Sequence, residues 1–169
     1  TSNICTAQVL LANIAGMYGV WHGPDGIRRI ADRVSSLARR AAAGLRSAGH
    51  AIVNEEFFDT VALSVDNADS FVARVRDGGF NIRRIDDRTV SFSLDETTDE
   101  ETLSALLATM GADLPAADGA IGTALLRTDD FMTQSVFHRH RTEHEMLRYL
   151  RWLADKDLAL DRTMIPLGS

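Results

Sequence analysis

Apolar residues recur along the first third of this chain with the period of an α-helix. Thr6–Trp21 is apolar nearly all round, which is typical of a helix buried on several sides. Gly23 and Pro24 are expected to break that helix, because proline lacks the amide that would continue it. A second helix is predicted over Asp25–Ala48, where apolar residues return at helical spacing and arginines fill much of the remaining surface.

From residue 57 the pattern changes to the alternation that strands show. Strands are predicted at Phe57–Val65, Phe80–Ile85 and Thr89–Leu94, with a short helix at Asn67–Asp77 between the first two. Another helix is predicted to follow Thr98 and to end at Gly111, with Thr98 and Glu101 forming a capping box at its start. The predicted order is helix, helix, β-α-β-β-α.

This order predicts an α+β fold, in which two N-terminal helices pack on a small, three-stranded antiparallel sheet. We expect residues 1–111 to form a small α+β domain and residues 112–169 to form a connector arm and helix. The predicted core takes apolar residues from most of these elements: Leu10, Ile14, Ile30, Val34, Val61, Leu63, Val90, Phe92, Leu103 and Leu107.

The connector is expected to pack against something outside this chain. Asp113–Arg141 shows no period, and so long an irregular stretch is uncommon within a domain. A last helix, predicted at Thr142–Ala154, places an apolar stripe on one face, made of Met146, Leu147, Leu150 and Leu153. An exposed stripe of that kind promotes association, so we expect the isolated chain to self-associate, to swap its C-terminal arm with another copy, or to leave this arm mobile.

Composition and charge narrow the class of partner. The 169 residues are 45% hydrophobic and 25% charged, as in ordinary globular domains. The net charge of −6 argues against nonspecific binding to nucleic acid or to an anionic membrane. The longest apolar run, Val9–Val20, is too short to span a bilayer, and no signal or transit peptide is visible. The chain starts without methionine, so we expect it to be cut from something longer.

Few residues offer chemistry of their own. His140 and His144 have the i, i+4 spacing of metal ligands, but His140 is expected to precede the helix, and no metal site is predicted. Cys5 falls in the first turn of a helix, where the dipole favours a thiolate, so it is a candidate redox residue; a small buried side chain is the alternative. No serine nucleophile elbow and no phosphate-binding glycine loop is present.

Several longer segments resemble one enzyme family, the P-protein of the glycine cleavage system. They are TSNICTAQVLLANIAGMYGVWHGP (Thr1–Pro24), FFDT (Phe57–Thr60), Asn81–Arg83, SLDETT (Ser93–Thr98), EMLRYLRWLADKDLAL (Glu145–Leu160) and MIPLGS (Met164–Ser169). The family has two homologous halves, each similar to a fold-type-I pyridoxal-phosphate (PLP) enzyme. The resemblance places residues 1–111 as the small domain of the first half and the remainder as the junction with the second.

The resemblance implies that the whole enzyme decarboxylates glycine through PLP and passes the aminomethyl group to the lipoyl H-protein. The lysine that holds PLP belongs to the second half, so this piece is expected to be inactive alone, with no catalytic or cofactor-binding residue. Its partners would be the rest of the P-protein and, in the whole enzyme, the H-protein. Gly168 and Ser169 would lie near the substrate. The location implied is the bacterial cytoplasm, or the mitochondrial matrix in a eukaryote.

The single lysine of the chain, Lys156, does not suit a PLP site. A Schiff-base amine must be uncharged to attack a carbonyl, whereas the adjacent Asp155 and Asp157 favour the ammonium form. Two positions depart from the family pattern: the first fits a noncatalytic piece, and the second argues against carrying a family role over to Arg141 or His144. A serine occupies the stretch Val90–Ser93 where related small domains carry a carboxylate-binding arginine, and RTEHEMLRY replaces HSETEMLRY in the connector. The alternative to a P-protein fragment is a noncatalytic βαββα module that binds a small regulatory molecule.

Overall fold

The structure, a computed structural model, describes residues 6–116, 125–158, 161, 162 and 164. Cys5, Gly168 and Ser169 lie outside the described residues. The elements in chain order are α1 (Thr6–Ser47), β1 (Ala51–Ile52), β2 (Thr60–Ser64), α2 (Ala68–Asp77), β3 (Arg83–Arg84), β4 (Thr89–Ser93), α3 (Glu100–Thr109), a 3₁₀ helix (Ser135–His138) and α4 (Glu143–Ala154). The α+β fold class is confirmed. No helix among the described residues has the length and apolarity needed to cross a membrane.

Helix α1 is two helical stretches joined at Gly23, as the sequence predicts. Gly23 has φ 60° and ψ −178°, which is far from helical geometry. This region of backbone space is almost exclusive to glycine, because a Cβ would clash with the neighbouring peptide groups. Pro24 follows directly, and proline is well tolerated in the first turn of a helix, where its missing amide has no partner to lose.

The sheet has four antiparallel strands in the order β1-β2-β4-β3. β2 and β4 form its centre, with Val61 opposite Phe92 and Leu63 opposite Val90. The edge strands β1 and β3 have only two residues each. The predicted three strands are therefore present in shorter form, and β1 is an addition. A two-residue strand is defined by its ladder hydrogen bonds, and it leaves no alternating pattern in the sequence.

The core lies between the central strands and the helices α1, α2 and α3. Of the predicted core residues, those on the strands and on α3 are buried, as is Val34 of α1, and Ile30 packs against them partly buried. Later residues of α1 complete this layer, namely Leu37, Ala38, Ala41, Ala42 and Leu45. The small alanines allow the helix backbone to approach the sheet closely.

The prediction that Leu10 and Ile14 belong to the core is wrong. Leu10 is 58% exposed and Ile14 is 55% exposed. The helix that faces the sheet is the later stretch of α1, and its own apolar residues fill that space. An apolar period indicates that a helix prefers a nonpolar environment, but it does not indicate which element supplies that environment.

The helix caps correct one prediction. Asn67 caps α2 by accepting a hydrogen bond from the Ser70 amide at 2.8 Å. At α3 the cap is Asp99, whose carboxylate accepts from the Thr102 amide at 2.7 Å, so the predicted Thr98 and Glu101 capping box is absent there. Thr98 instead takes part in the preceding turn, where its side chain bonds Asp95.

Contacts within the chain divide it into two units. One is residues 30–127; the other combines the described residues up to Arg29 with those from Thr128 onward. The predicted boundary at residue 111 stays a prediction. Within the first unit, Arg40 Nε donates to Pro115 O at 2.7 Å, and Ala112 is buried. Gly44 permits this approach, because a Cβ there would collide with the Asp113 carbonyl oxygen.

Candidate functional site

Beyond residue 125, the polar and aromatic side chains that line a crevice lie around α4. This helix starts at a complete capping box, in which Thr142 and Glu145 exchange side-chain and backbone hydrogen bonds. The box satisfies amides at the N-terminus of the helix, so they are not offered to a ligand. None of the α4 side chains is buried within this chain. The helix is therefore well formed but incompletely covered.

An aromatic ladder runs along one side of α4. The ring of His140 stacks on Tyr149 with centroids 4.3 Å apart and planes within 8°. Tyr149 stacks on Trp152 at 6.0 Å. Lys156 completes the ladder, with Nζ 3.8 Å from the centroid of the Trp152 ring. A cation over an indole face is attracted by the ring quadrupole, so this contact positions the Lys156 side chain on the surface of the helix.

A basic crevice lies beside the ladder. It has a volume of about 820 Å³, and its lining includes Arg139, Arg141, Arg148 and the ladder residues His140 and Tyr149. The lining contains three guanidinium groups and one carboxylate, that of Glu145. This carboxylate already accepts hydrogen bonds within the capping box. In a chain of net charge −6, this is a local concentration of positive charge.

Arg141 ties the crevice to the kink of α1. Its Nη2 donates to the Phe137 carbonyl oxygen at 2.6 Å, and its guanidinium lies against the Cα of Gly23. Its Nε is buried without a hydrogen-bond partner, the only such side-chain atom among the described residues. A buried N–H without a hydrogen-bond partner costs free energy. Arg141 is therefore held in place by packing and by its hydrogen bond to Phe137, while its Nε–H stays unpaired.

Ion pairs surround the end of α4. Arg151 pairs with Asp155 at 3.3 Å and with Asp161. The hydrogen bond from Arg151 lowers the pKa of the Asp161 carboxyl below its ordinary value, and the same contact raises the pKa of Arg151. Arg162 donates to the Asp157 carbonyl oxygen at 2.9 Å. Both aspartates that flank Lys156 thus lie in a hydrogen-bonded helix terminus rather than in an open cleft.

A second cavity, of about 780 Å³, belongs to residues 30–127 and is mainly polar. Its lining includes His50, Asn67, Ser70, Arg74 and Arg88. His50 Nε2 is 2.9 Å from the Met110 carbonyl oxygen, and Asn67 caps α2, so both are used structurally. Arg74 lies over the ring of Phe71. The Ser70 hydroxyl donates to the Asn67 carbonyl oxygen at 3.1 Å, so it too has a structural role.

The predicted site residues have different outcomes. The predictions for Cys5, Gly168 and Ser169 lie outside the described residues. Strand β4 carries no arginine: Ser91 is buried, and Ser93 is hydrogen-bonded to Thr60 at 2.7 Å. Among the described residues, no three histidine, cysteine or carboxylate groups converge as a metal site.

Sequence reasoning did not identify the ladder or the role of Arg141. The spacing of Tyr149 and Trp152, followed by Lys156 four residues later, is the signal that could have found the ladder on a helix. The contact between Arg141 and Gly23 joins residues more than a hundred positions apart, and no local pattern reports it.

Comparison with known proteins assigns these features to a family. A sequence model of the glycine cleavage system P-protein matches residues 1–110. The chain belongs to this family. The glycine dehydrogenase (decarboxylating) of Xanthomonas euvesicatoria is 55% identical over 175 aligned residues, which cover 100% of this chain and 18% of that protein. The proteins of the same name from Brucella melitensis and Stenotrophomonas maltophilia are each 53% identical with the same coverage. The chain thus spans about one fifth of the length of these relatives.

Proposed function

We propose that this chain is part of a glycine dehydrogenase (decarboxylating) and supplies a noncatalytic, structural portion of it. The observation that carries the proposal is that similarity above 50% extends over the whole chain, from α1 through α4. The P-protein resemblance therefore includes the connector as well as the α+β core. Neither the described residues nor the relatives favour the regulatory alternative.

We also propose which part of the enzyme each segment of this chain forms, on the basis of the family resemblance. Residues 1–111 form the small domain of the first half, and residues 112–169 lead to the second half. The rest of the P-protein is the principal partner, and the lipoyl H-protein binds the complete enzyme. The bacterial relatives support a cytoplasmic location.

PLP is the cofactor proposed for the complete enzyme, where it supplies the electron sink for loss of CO2 from glycine. The described residues of this chain do not fit a Schiff-base site for it. Lys156 is the only lysine, and its ammonium group lies over Trp152 at a surface helix end, between two aspartates. A Schiff-base lysine needs the opposite setting, a desolvated amine without adjacent carboxylates. The lysine that binds the cofactor is therefore expected in a part of the enzyme beyond this chain.

Reductive labelling tests the role of Lys156. The chain is mixed with PLP, reduced with borohydride and analysed by mass spectrometry. We expect only substoichiometric labelling near neutral pH. Trp152→Ala removes the cation–π contact and serves as a comparison, with a small rise in labelling expected. Stoichiometric labelling of Lys156 in the unchanged chain would contradict a noncatalytic role.

A chimera tests the proposed function directly. The matching segment of the Xanthomonas relative is replaced by these 169 residues, and glycine-dependent CO2 release is measured with lipoyl H-protein. We expect activity within about tenfold of the parent, because the chain keeps the family's core and connector. A matched chimera carrying Leu63→Asp places a charge in the core and is expected to lose activity together with folded protein. A soluble, folded but inactive chimera without that change would refute the proposal.

A further inference from the structure

The first stretch of α1 is apolar and bare within this chain. Each described side chain from Ala7 to Gly16 is exposed, including Leu11 at 67%. No aspartate, glutamate, lysine or arginine occurs in Thr6–Pro24. A helix that is apolar all round is normally buried, since no face of it is suited to water.

The described residues after Thr128 contact only the end of this stretch. Gly19 lies near Met132 and Phe137, so that a Cβ there would be 3.4 Å from the Met132 methyl group. Val20 is buried, and the Gly23 backbone packs on the Phe137 carbonyl and on Arg141. Arg28 lies over the ring of Phe131. Among the described residues, these contacts leave residues 7–16 exposed.

Helix α4 extends the uncovered area. An almost wholly apolar groove of about 380 Å³ is lined by Ile14, Met17 and Trp21 from α1 and by Met146 and Leu150 from α4. Leu147 of α4, which is 55% exposed, is a further apolar side chain on this helix. Val9, Leu10, Leu11, Ile14, Met17, Trp21, Met146 and Leu150 are named here the apolar surface of α1 and α4. Such a contiguous surface marks an interface.

We propose that this surface is an internal interface of the complete enzyme, covered by a part of the same polypeptide outside these 169 residues. The inference rests on the proposed function. The chain accounts for 18% of the length of its relatives, so most of each relative lies outside it and can supply that cover. The absence of charge over Thr6–Pro24 favours a permanent apolar contact over a transient polar one.

Site-specific photocrosslinking in the complete enzyme identifies the occupant. Benzoylphenylalanine is placed at Leu11, or at Ile85 as a control of similar chemistry that lies in residues 30–127 and outside this surface. Mass spectrometry then locates the crosslinked peptide. We expect Leu11 to crosslink within one polypeptide, to a peptide outside these 169 residues, with at least tenfold the yield found at Ile85. Crosslinks between two copies of Leu11, or none above the Ile85 control, would overturn the proposal.

A pair of substitutions gives an independent measurement. Leu11→Asp places a charge on the surface, and Ile85→Asp makes the same change at a residue that is 48% exposed elsewhere. We expect Leu11→Asp to raise the hydrogen-exchange rate of amides 9–16 at least tenfold, and Ile85→Asp to change it less than twofold. Equal exchange in the two variants would contradict the interface. If Leu11→Asp yields no folded enzyme, the crosslinking experiment, in which the enzyme is otherwise unchanged, still tests the interface.

The two proposals fail in different ways. An inactive but folded chimera would refute the proposed function. An active enzyme whose Leu11 crosslinks to a second copy would leave that function intact and refute the internal interface alone.

Discussion

At the scale of single residues, Gly23 shows how one backbone position serves two purposes. Its conformation breaks α1, and the space left by its missing side chain holds the Arg141 guanidinium. The sequence predicted the break, because glycine before proline is a strong local signal. The partner could not be predicted, since Arg141 is distant from Gly23 in sequence.

Gly23→Ala is expected to be strongly destabilising. The backbone conformation alone costs a residue with a Cβ about 1–3 kcal/mol, and the Cβ would also meet the Phe137 carbonyl oxygen at 2.6 Å. Gly16→Ala is the matched control on the same helix, because a Cβ there meets nothing within 4 Å. It should stabilise the helix by about 0.5–1 kcal/mol. Urea denaturation followed by circular dichroism measures both; similar midpoints for the two variants would show that the kink imposes no constraint.

At the scale of elements, a helix or strand could be predicted from the sequence where packing on the core imposes a regular pattern of apolar residues. β2 and β4 were found because one face of each packs on the core, which forces apolar and polar residues to alternate. The two-residue strand β1 is too short to show this alternation and was not predicted. The two-residue strand β3 is shorter than the strand that was predicted there. The first stretch of α1 was predicted correctly as a helix but was wrongly placed in the core, because its apolar pattern suits a cover that the described residues do not supply.

Leu63→Ala tests the central strand. Leu63 is completely buried opposite Val90, so the substitution should lower the free energy of unfolding by about 2–5 kcal/mol. Val53→Ala, at a half-exposed residue next to β1, should change it by less than about 0.5 kcal/mol. Denaturant midpoints provide the measurement. An unchanged midpoint for Leu63→Ala would be inconsistent with the core described here.

The turn before α3 predicts a dependence of stability on pH. The carboxylate of Asp95 accepts hydrogen bonds from the side chain and amide of Thr97 and from Thr98, and the Thr97 hydroxyl is the main reason that the pKa of Asp95 is lowered. A carboxyl whose pKa is lower in the folded state stabilises the fold above its unfolded pKa, near 4, and this contribution is lost as the pH falls through the folded pKa.

Asp95→Asn should therefore flatten the loss of stability below about pH 4. Asp77→Asn, which removes one exposed carboxylate at the end of α2, is the control and should leave the acid limb of the curve unchanged. Thermal midpoints between pH 2 and pH 6 supply the comparison. If both variants followed the parent curve, Asp95 would not be the source of the acid sensitivity.

At the scale of the whole molecule, the α+β core and the connector differ in how completely this chain buries them. Leu63, Val90, Leu103 and Leu107 are all at most 1% exposed, whereas no residue of α4 is buried. Segments with few buried contacts open at low free-energy cost. The sequence predicts both the core and the apolar stripe of α4. Only the structure shows that the core residues are buried and that the residues of the α4 stripe are not.

Hydrogen exchange in a monomeric sample of the chain measures this difference. We expect amides of residues 128–158 to exchange faster than those of residues 57–110, because α4 is held by its capping box and surface ion pairs rather than by a core. The monomeric state has to be established first, because self-association through the apolar surface of α1 and α4 would protect the connector. Equal and strong protection of both segments in a proven monomer would mean that the connector packs stably on its own chain. It would then have no need of cover from the rest of the enzyme, although membership of the P-protein family would stand.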